Sequence, residues 1–284
     1  MKKIVQRFLL FFITIPLVVF IVMFLPQKKH LAVNIAVIIV SALGALEFRN
    51  ILRRKGCLIS PAEAVILGGL GPAALTLIVS FNAGRMILPV IFIAGFSWLL
   101  TRRIFSKEEE LRDVLAYIIA GFAVTIYPGV FMAWIIRMNR FPRADMVVLI
   151  FLFTVIANDS TAWAAGMLFG RGNQGIIPAS PNKSVAGYAG GFAASTLVAV
   201  IAVYSLPQAF SASRLPSLPS GIILGFLSGA AASLGDLVES AIKRSSGVKD
   251  SGFLIPGRGG VLDSIDSIAL AAPVFYLLYR LLFT

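Results

Sequence analysis

Nine apolar runs, most of them close to the span of a bilayer's hydrocarbon core, occupy most of this chain. They fall near residues 4–25, 31–48, 62–80, 86–101, 114–137, 145–169, 185–206, 219–241 and 262–282. A helix needs about 20 residues to cross a membrane. The expected fold is therefore all-α, a polytopic integral membrane protein of about nine transmembrane helices with a polar cavity facing the cytoplasm. The second and fourth runs are short, and Asn158-Asp159-Ser160 interrupts the sixth. Composition agrees: 13% of residues are charged and the mean hydropathy is +0.91, whereas soluble chains carry roughly 25% charged residues. The start Met1-Lys-Lys3 before an apolar run looks like a signal peptide. That run continues to Leu25 with no small-x-small cleavage site after it, so it is expected to remain as the first helix.

Basic residues set the orientation, because cytoplasmic loops collect Lys and Arg. With the N-terminus inside, 17 of the 25 Lys and Arg residues fall at cytoplasmic ends and 8 at outer ends. The expected placement is the inner (cytoplasmic) membrane, N-terminus cytoplasmic and C-terminus outside. The loops after the sixth and eighth runs then face the cytoplasm. The net charge of +12 is juxtamembrane charge, and without a basic stripe interleaved with aromatics no nucleic-acid partner is expected. Cys57 is the only cysteine, which excludes an intramolecular disulfide or a cysteine metal cluster. His30 is the only histidine, expected at a surface or interface, and a Ser-His-Asp triad or phosphohistidine is excluded.

Six acidic residues that lie inside or beside the apolar runs stand out: Asp159, Asp236, Glu239, Asp250, Asp263 and Asp266. An ionised carboxylate in hydrocarbon costs at least about 2.5 kcal/mol, so something must offset it. Residues 1–140 are apolar with charges confined to loops. Residues 141–284 carry polar groups at membrane depth, so the chemistry is expected in this C-terminal half.

Asp236, Glu239, Ser240 and Lys243 share one helix face by spacing. Either they belong to a site, or the acids simply pair with Lys243 and Arg244. Gly221, Gly225 and Gly229 form a small-residue ridge suited to helix packing, and such glycine-rich faces also suit a homodimer. The stretch Lys249-Asp-Ser-Gly-Phe-Leu-Ile-Pro-Gly-Arg258-Gly-Gly260 reads as a phosphate-binding loop, with Lys249 and Arg258 as phosphate partners, or as a plain turn. Asp263 and Asp266 follow at the start of the last helix. They either cap it or join Asp236 around a hard cation such as Mg²⁺, which would also neutralise a nucleotide triphosphate. Lys183, among Ser180, Ser184 and Gly187, suits a phosphate or a juxtamembrane anchor.

These residues carry a resemblance. Ser240, Lys243, Arg244, Lys249, Asp250, Gly252, Ile255, Pro256, Gly259, Gly260, Asp263 and Asp266 match in register the signature of the phosphatidate cytidylyltransferases. The lead-in Gly235-Asp236-Leu-x-Glu239 and the earlier Asp159-Ser160, Phe169-Gly170-Arg171 and Ser180-Pro181-x-Lys183 match too, so the likeness covers roughly residues 155–275. Three features depart from the pattern. Arg258 stands in place of histidine, Ser264 in place of arginine, and Lys183-Ser-Val-Ala-Gly187 in place of Lys-Thr-Trp-Glu-Gly.

The resemblance implies a nucleotidyltransferase that joins CTP to phosphatidate in the membrane, giving CDP-diacylglycerol and pyrophosphate for phospholipid synthesis. Asp236, Asp263, Asp266, Lys249 and Asp250 are then expected to be catalytic. Lys183, Ser240, Lys243, Arg244, Arg258 and Asp159 are expected to bind substrates. Asp236, Asp263, Asp266 and Glu239 are expected to hold Mg²⁺, with a second cation left open. The alternatives are a CTP-dependent lipid kinase, or a catalytically weakened homologue acting as scaffold or transporter.

Overall fold

The structure is a computed structural model that describes residues 2–57, 59–210, 217–255 and 257–284; Pro256 of the signature and Arg214 of the outer basic residues lie outside them. Its helices are α1 (Lys2–Phe24), α2 (Gln27–Arg53), α3 (Pro61–Ser80), α4 (Ile87–Thr101), the short α5 (Glu108–Leu111), α6 (Val114–Thr125), α7 (Phe131–Met138), α8 (Ala144–Phe169), α9 (Val185–Ser205), α10 (Ser217–Ser245) and α11 (Leu262–Phe283). A π-helical turn, Ile126–Val130, joins α6 to α7. It contains Pro128, whose missing N–H breaks the regular hydrogen-bond ladder. Among the described residues there is no β-strand; isolated bridges link Gln174 to Ser184 and Ile255 to Gly259.

Each apolar run becomes a helix, the fifth being α6, the π turn and α7 together. Among the described residues seven helices are long and apolar enough to cross a membrane. They are Gln27–Arg53, Pro61–Ser80, Val114–Met138, Ala144–Phe169, Val185–Ser205, Leu218–Ser245 and Leu262–Phe283. The other two runs yield shorter apolar helices, Phe12–Phe24 within α1 and the whole of α4. The interruption expected at Asn158-Asp159-Ser160 does not break the backbone, since α8 runs through it. The polar group turns inward instead. Asn158 is buried and donates from Nδ2 to Ser233 Oγ (3.2 Å) and Asp159 Oδ1 (3.1 Å). His30, expected at a surface or interface, is buried at 7% exposure, in a left-handed turn formed with Lys28 and Lys29.

The chain divides into two compact units, Met1–Arg137 with Ser245–Ile265 and Met138–Arg244 with Asp266–Thr284. In the first, α2 packs along α3. Gly68 lies against Ser41 and Ala45, and Gly129 lies against the Gly68 carbonyl, so a side chain at either glycine would force these helices apart. Ser60 and Glu63 close a reciprocal cap at the start of α3.

In the second unit α8 and α9 pack closely because Gly187, Gly190 and Gly191 meet Ala162, Ala165 and Asn158 with no room for a Cβ. The ridge on α10 is used in the same way. Gly221 meets Val200, Gly225 meets Ser195 and Thr196, and Gly229 meets Ser195, all on α9 of the same chain. The face on which a homodimer was expected is thus already covered within the chain. Phe151, Phe275, Tyr279 and Phe283 fill the core, and the Tyr279 hydroxyl donates to the Ala209 carbonyl.

Candidate active site

The second unit holds eight of the residues expected at the site: Asp159, Lys183, Asp236, Glu239, Ser240, Lys243, Arg244 and Asp266. The loop after α8 is pinned by the Gln174–Ser184 bridge and by hydrogen bonds from Lys183 N to Ser180 O (3.1 Å) and Val185 N to Asn173 O (3.1 Å). Ser184 ends it by accepting from Gly187 N (3.1 Å), which caps α9. Lys183 is thereby fixed, and its ammonium forms an ion pair with Asp236 Oδ2 on α10. On the same α10 face the Ser240 hydroxyl donates to Asp236 Oδ1 (3.3 Å). One turn on, fully buried Glu239 pairs with Lys243 at 2.5 Å. Asp266 on α11 is 7% exposed, and its Oδ1 accepts from Ser267 N (2.7 Å). Its carboxylate lies in the neighbourhood of those of Asp236, Glu239 and Asp159. Arg244 is exposed at the end of α10.

The first unit holds the glycine-rich loop, with Lys249, Asp250 and Arg258 exposed. Ile255 and Gly259 close its tip through paired backbone hydrogen bonds of 2.8 and 3.0 Å. That turn needs Gly257 at φ +78° and Gly259 at φ +114°, which side-chain-bearing residues rarely adopt. Asp263 organises the loop from the start of α11: its Oδ2 accepts from Gly260 N (2.7 Å) and Ser251 N (2.9 Å) and lies 2.9 Å from Ser251 Oγ. Ser264, which replaces the signature arginine, donates to the Gly260 carbonyl (3.2 Å).

Glu47 on α2 was not among the residues that the sequence singled out. It is 4% exposed, and its Oε2 accepts from Leu262 N (2.8 Å) and lies 3.1 Å from Ser251 Oγ. A carboxylate at the end of the second apolar run was a signal of the same kind as the six acids noted above.

The donor chemistry of the second unit fits the expected Mg²⁺, although no protein cage is assembled. Among the described residues no three or more Asp, Glu, His or Cys side chains converge as an ion cage. Asp236 is engaged by Lys183 and Glu239 by Lys243. Asp266, however, is a buried carboxylate beside other carboxylates, with no lysine or arginine among the described residues at ion-pair distance. Mg²⁺ is commonly held by one or two carboxylates, with substrate phosphates and water completing its shell. Asp236 with Asp266 meets that requirement. An open groove of about 520 Å³ in the same unit is apolar, lined by α9 and α10 residues such as Phe192, Leu197, Val200 and Phe226.

Comparison with known proteins extends the likeness over the whole chain. The model of the cytidylyltransferase family matches residues 5–282. Phosphatidate cytidylyltransferase of Haemophilus influenzae is 34% identical over 212 residues, covering 70% of this chain and 72% of that protein. The Mycobacterium leprae protein of the same name is 31% identical over 245 residues, covering 81% and 74%. Uncharacterized protein YnbB of Escherichia coli K12 is 33% identical over 211 residues, covering 72% and 67%. A match that runs from the first helix to the last, and takes in every polar residue described above, means that this chain belongs to the cytidylyltransferase family.

Proposed function

We propose that this membrane protein transfers the cytidylyl group of CTP to phosphatidate, releasing pyrophosphate and CDP-diacylglycerol for phospholipid synthesis. The observation that carries this reading is the family match across residues 5–282, which includes the lysine and carboxylate cluster of the second unit. A phosphate oxygen of the lipid attacks the α-phosphorus of CTP in line. The new P–O bond forms as the bond from that phosphorus to the bridging oxygen breaks, and pyrophosphate leaves with the electron pair. No protein nucleophile is needed, in keeping with a chain that has one buried histidine and one cysteine.

The residues then have separable tasks. Lys183 offers its ammonium to the triphosphate, and Ser240 orients Asp236. Asp236 and Asp266 would hold Mg²⁺, which when bound neutralises charge on the triphosphate and the leaving pyrophosphate. Glu239 keeps Lys243 in place. Lys243, Arg244, Lys249 and Arg258 bind phosphates, Asp250 supports the loop that carries Lys249, and Asp159 orients the lipid head group. Asp263 serves by shaping the glycine-rich loop. We place both polar loops on the cytoplasmic side of the inner membrane, where CTP is available, with the N-terminus inside. Any homodimer would use a face other than the glycine ridge.

The purified protein in detergent tests the reading through pyrophosphate release with CTP and Mg²⁺. Release that needs phosphatidate, and is absent with diacylglycerol, supports it. CTP consumption with diacylglycerol instead would identify a lipid kinase and overturn it.

A further inference from the structure

We infer that Glu47 is a positioning residue for the glycine-rich loop, acting on Asp263 through Ser251; this rests on the reaction proposed above. Glu47 lies 204 residues before Ser251 and 215 before Leu262, so only the fold brings them together. Burying a carboxylate in an apolar helix is costly unless it gains partners. Glu47 gains them through Oε2, while its Oε1 is buried with no hydrogen-bond partner among the described residues. Leu262 N, one of the N–H groups that a helix start leaves without an intrahelical partner, donates to Glu47 Oε2 at 2.8 Å. An anion there also suits the positive end of the α11 dipole.

The second link is Ser251, itself buried. Its Oγ lies 3.1 Å from Glu47 Oε2 and 2.9 Å from Asp263 Oδ2. One hydroxyl has one proton, so Ser251 donates to one carboxylate at a time and keeps both at hydrogen-bond range. Its Oγ also accepts from Asp263 N (3.3 Å). The third link is steric. A Cβ at Gly252 would overlap Glu47 Oε1, and a Cβ at Gly260 would overlap Glu47 Oε2 and Ser251 Oγ. Glycine at both signature positions thus leaves space for a carboxylate from a distant helix. Glu47, Ser251 and Asp263 form one relay that sets where the loop stands.

The test combines exchange and kinetics on the full chain. In Glu47→Ala, amide hydrogen exchange should speed up within 250–262 and stay at parent rates in α8 to α10. A misplaced loop should lower kcat per folded molecule on the order of 30- to 100-fold, the scale of a displacement of about 1 Å near reacting groups. The KM for CTP should rise while that for phosphatidate stays within about twofold. Glu47→Gln keeps an oxygen for Leu262 N and should recover most of the loss. Ser251→Ala should reproduce part of it, with the double variant no worse than Glu47→Ala alone. Should Glu47→Ala fail to fold, Ser251→Ala against the parent carries the comparison, with Glu47→Gln as the near-parent control. Parent-like exchange and kcat in folded Glu47→Ala, or in Ser251→Ala where Glu47→Ala does not fold, overturn the inference. A parent chain that makes no CDP-lipid overturns the proposed reaction instead, and the exchange result then stands by itself.

Discussion

Lys183 and Asp236 form an ion pair that joins the loop before α9 to the middle of α10. Their side chains are 28% and 33% exposed, so solvent screens the pair and it contributes no more than about 1 kcal/mol to stability. Lys183→Met should therefore lower the midpoint of thermal unfolding by no more than about 4 °C. Loss of a charge-assisted contact to the triphosphate should instead cut kcat/KM for CTP by roughly 10- to 150-fold. A large fall in unfolding temperature with unchanged kinetics would make Lys183 a structural residue.

Asp236→Asn and Asp266→Asn should each reduce turnover by about 100-fold or more, since several kcal/mol of charge stabilisation depend on the cation site. Activation by Mg²⁺ should shift to higher concentration in both. Asp263→Asn should fail differently. The Asp263 carboxylate already serves Ser251 and Gly260, so its loss should disturb the loop and leave the Mg²⁺ dependence near that of the parent. Identical Mg²⁺ titrations for all three variants would contradict this division.

Two departures from the signature are open to reversal. Ser264→Arg is expected to raise kcat/KM for CTP by roughly 10- to 150-fold through a new charge-assisted contact. Arg258→His should change it less, because histidine also offers a donor to a phosphate at this exposed position. If Arg258 has taken over the arginine's role, the two changes will be strongly non-additive. Values within twofold of the parent for the single and double variants would remove both positions from the nucleotide site.

The α9–α10 contact gives a stability prediction with an internal control. A Cβ at Gly225 would collide with the Ser195 carbonyl and with Thr196, so Gly225→Ala should destabilise the fold by about 1–3 kcal/mol. Gly69 has open space around its Cβ position, and Gly69→Ala should be neutral or stabilising by up to about 1 kcal/mol. Thermal unfolding in one detergent compares the two directly.

Orientation is tested with cysteines placed in the 171–184 and 246–258 loops of a Cys57→Ala chain. Both should react with an impermeant reagent only from the cytoplasmic side. Labelling of either loop from outside would contradict the proposed topology.

Helix positions were legible in the sequence because hydrocarbon thickness and backbone satisfaction leave a chain of this hydropathy few options. The Asp236, Glu239, Ser240 and Lys243 face was legible for the same kind of reason, since α-helical periodicity alone aligns these residues. Relations across long sequence separations were not. The resemblance implied that Asp263 holds the cation with Asp236 and Asp266; that its Oδ2 also accepts from the Ser251 and Gly260 amides depends on a loop conformation that no spacing rule encodes. Glu47 was harder still, because its partners lie more than 200 residues away. Asn158 interrupted the apolar pattern without interrupting α8, and its buried Nδ2 donates to Ser233 on another helix.

The central claim is cytidylyl transfer to a lipid phosphate, and CTP labelled separately at the α- and γ-phosphorus tests it most directly. With purified protein, phosphatidate and Mg²⁺, the α-label should appear in the lipid fraction as CDP-diacylglycerol, and the γ-label should leave as pyrophosphate in equal amount. A γ-label in the lipid with the α-label in free CDP, or no lipid-dependent use of CTP by folded protein, would contradict the account.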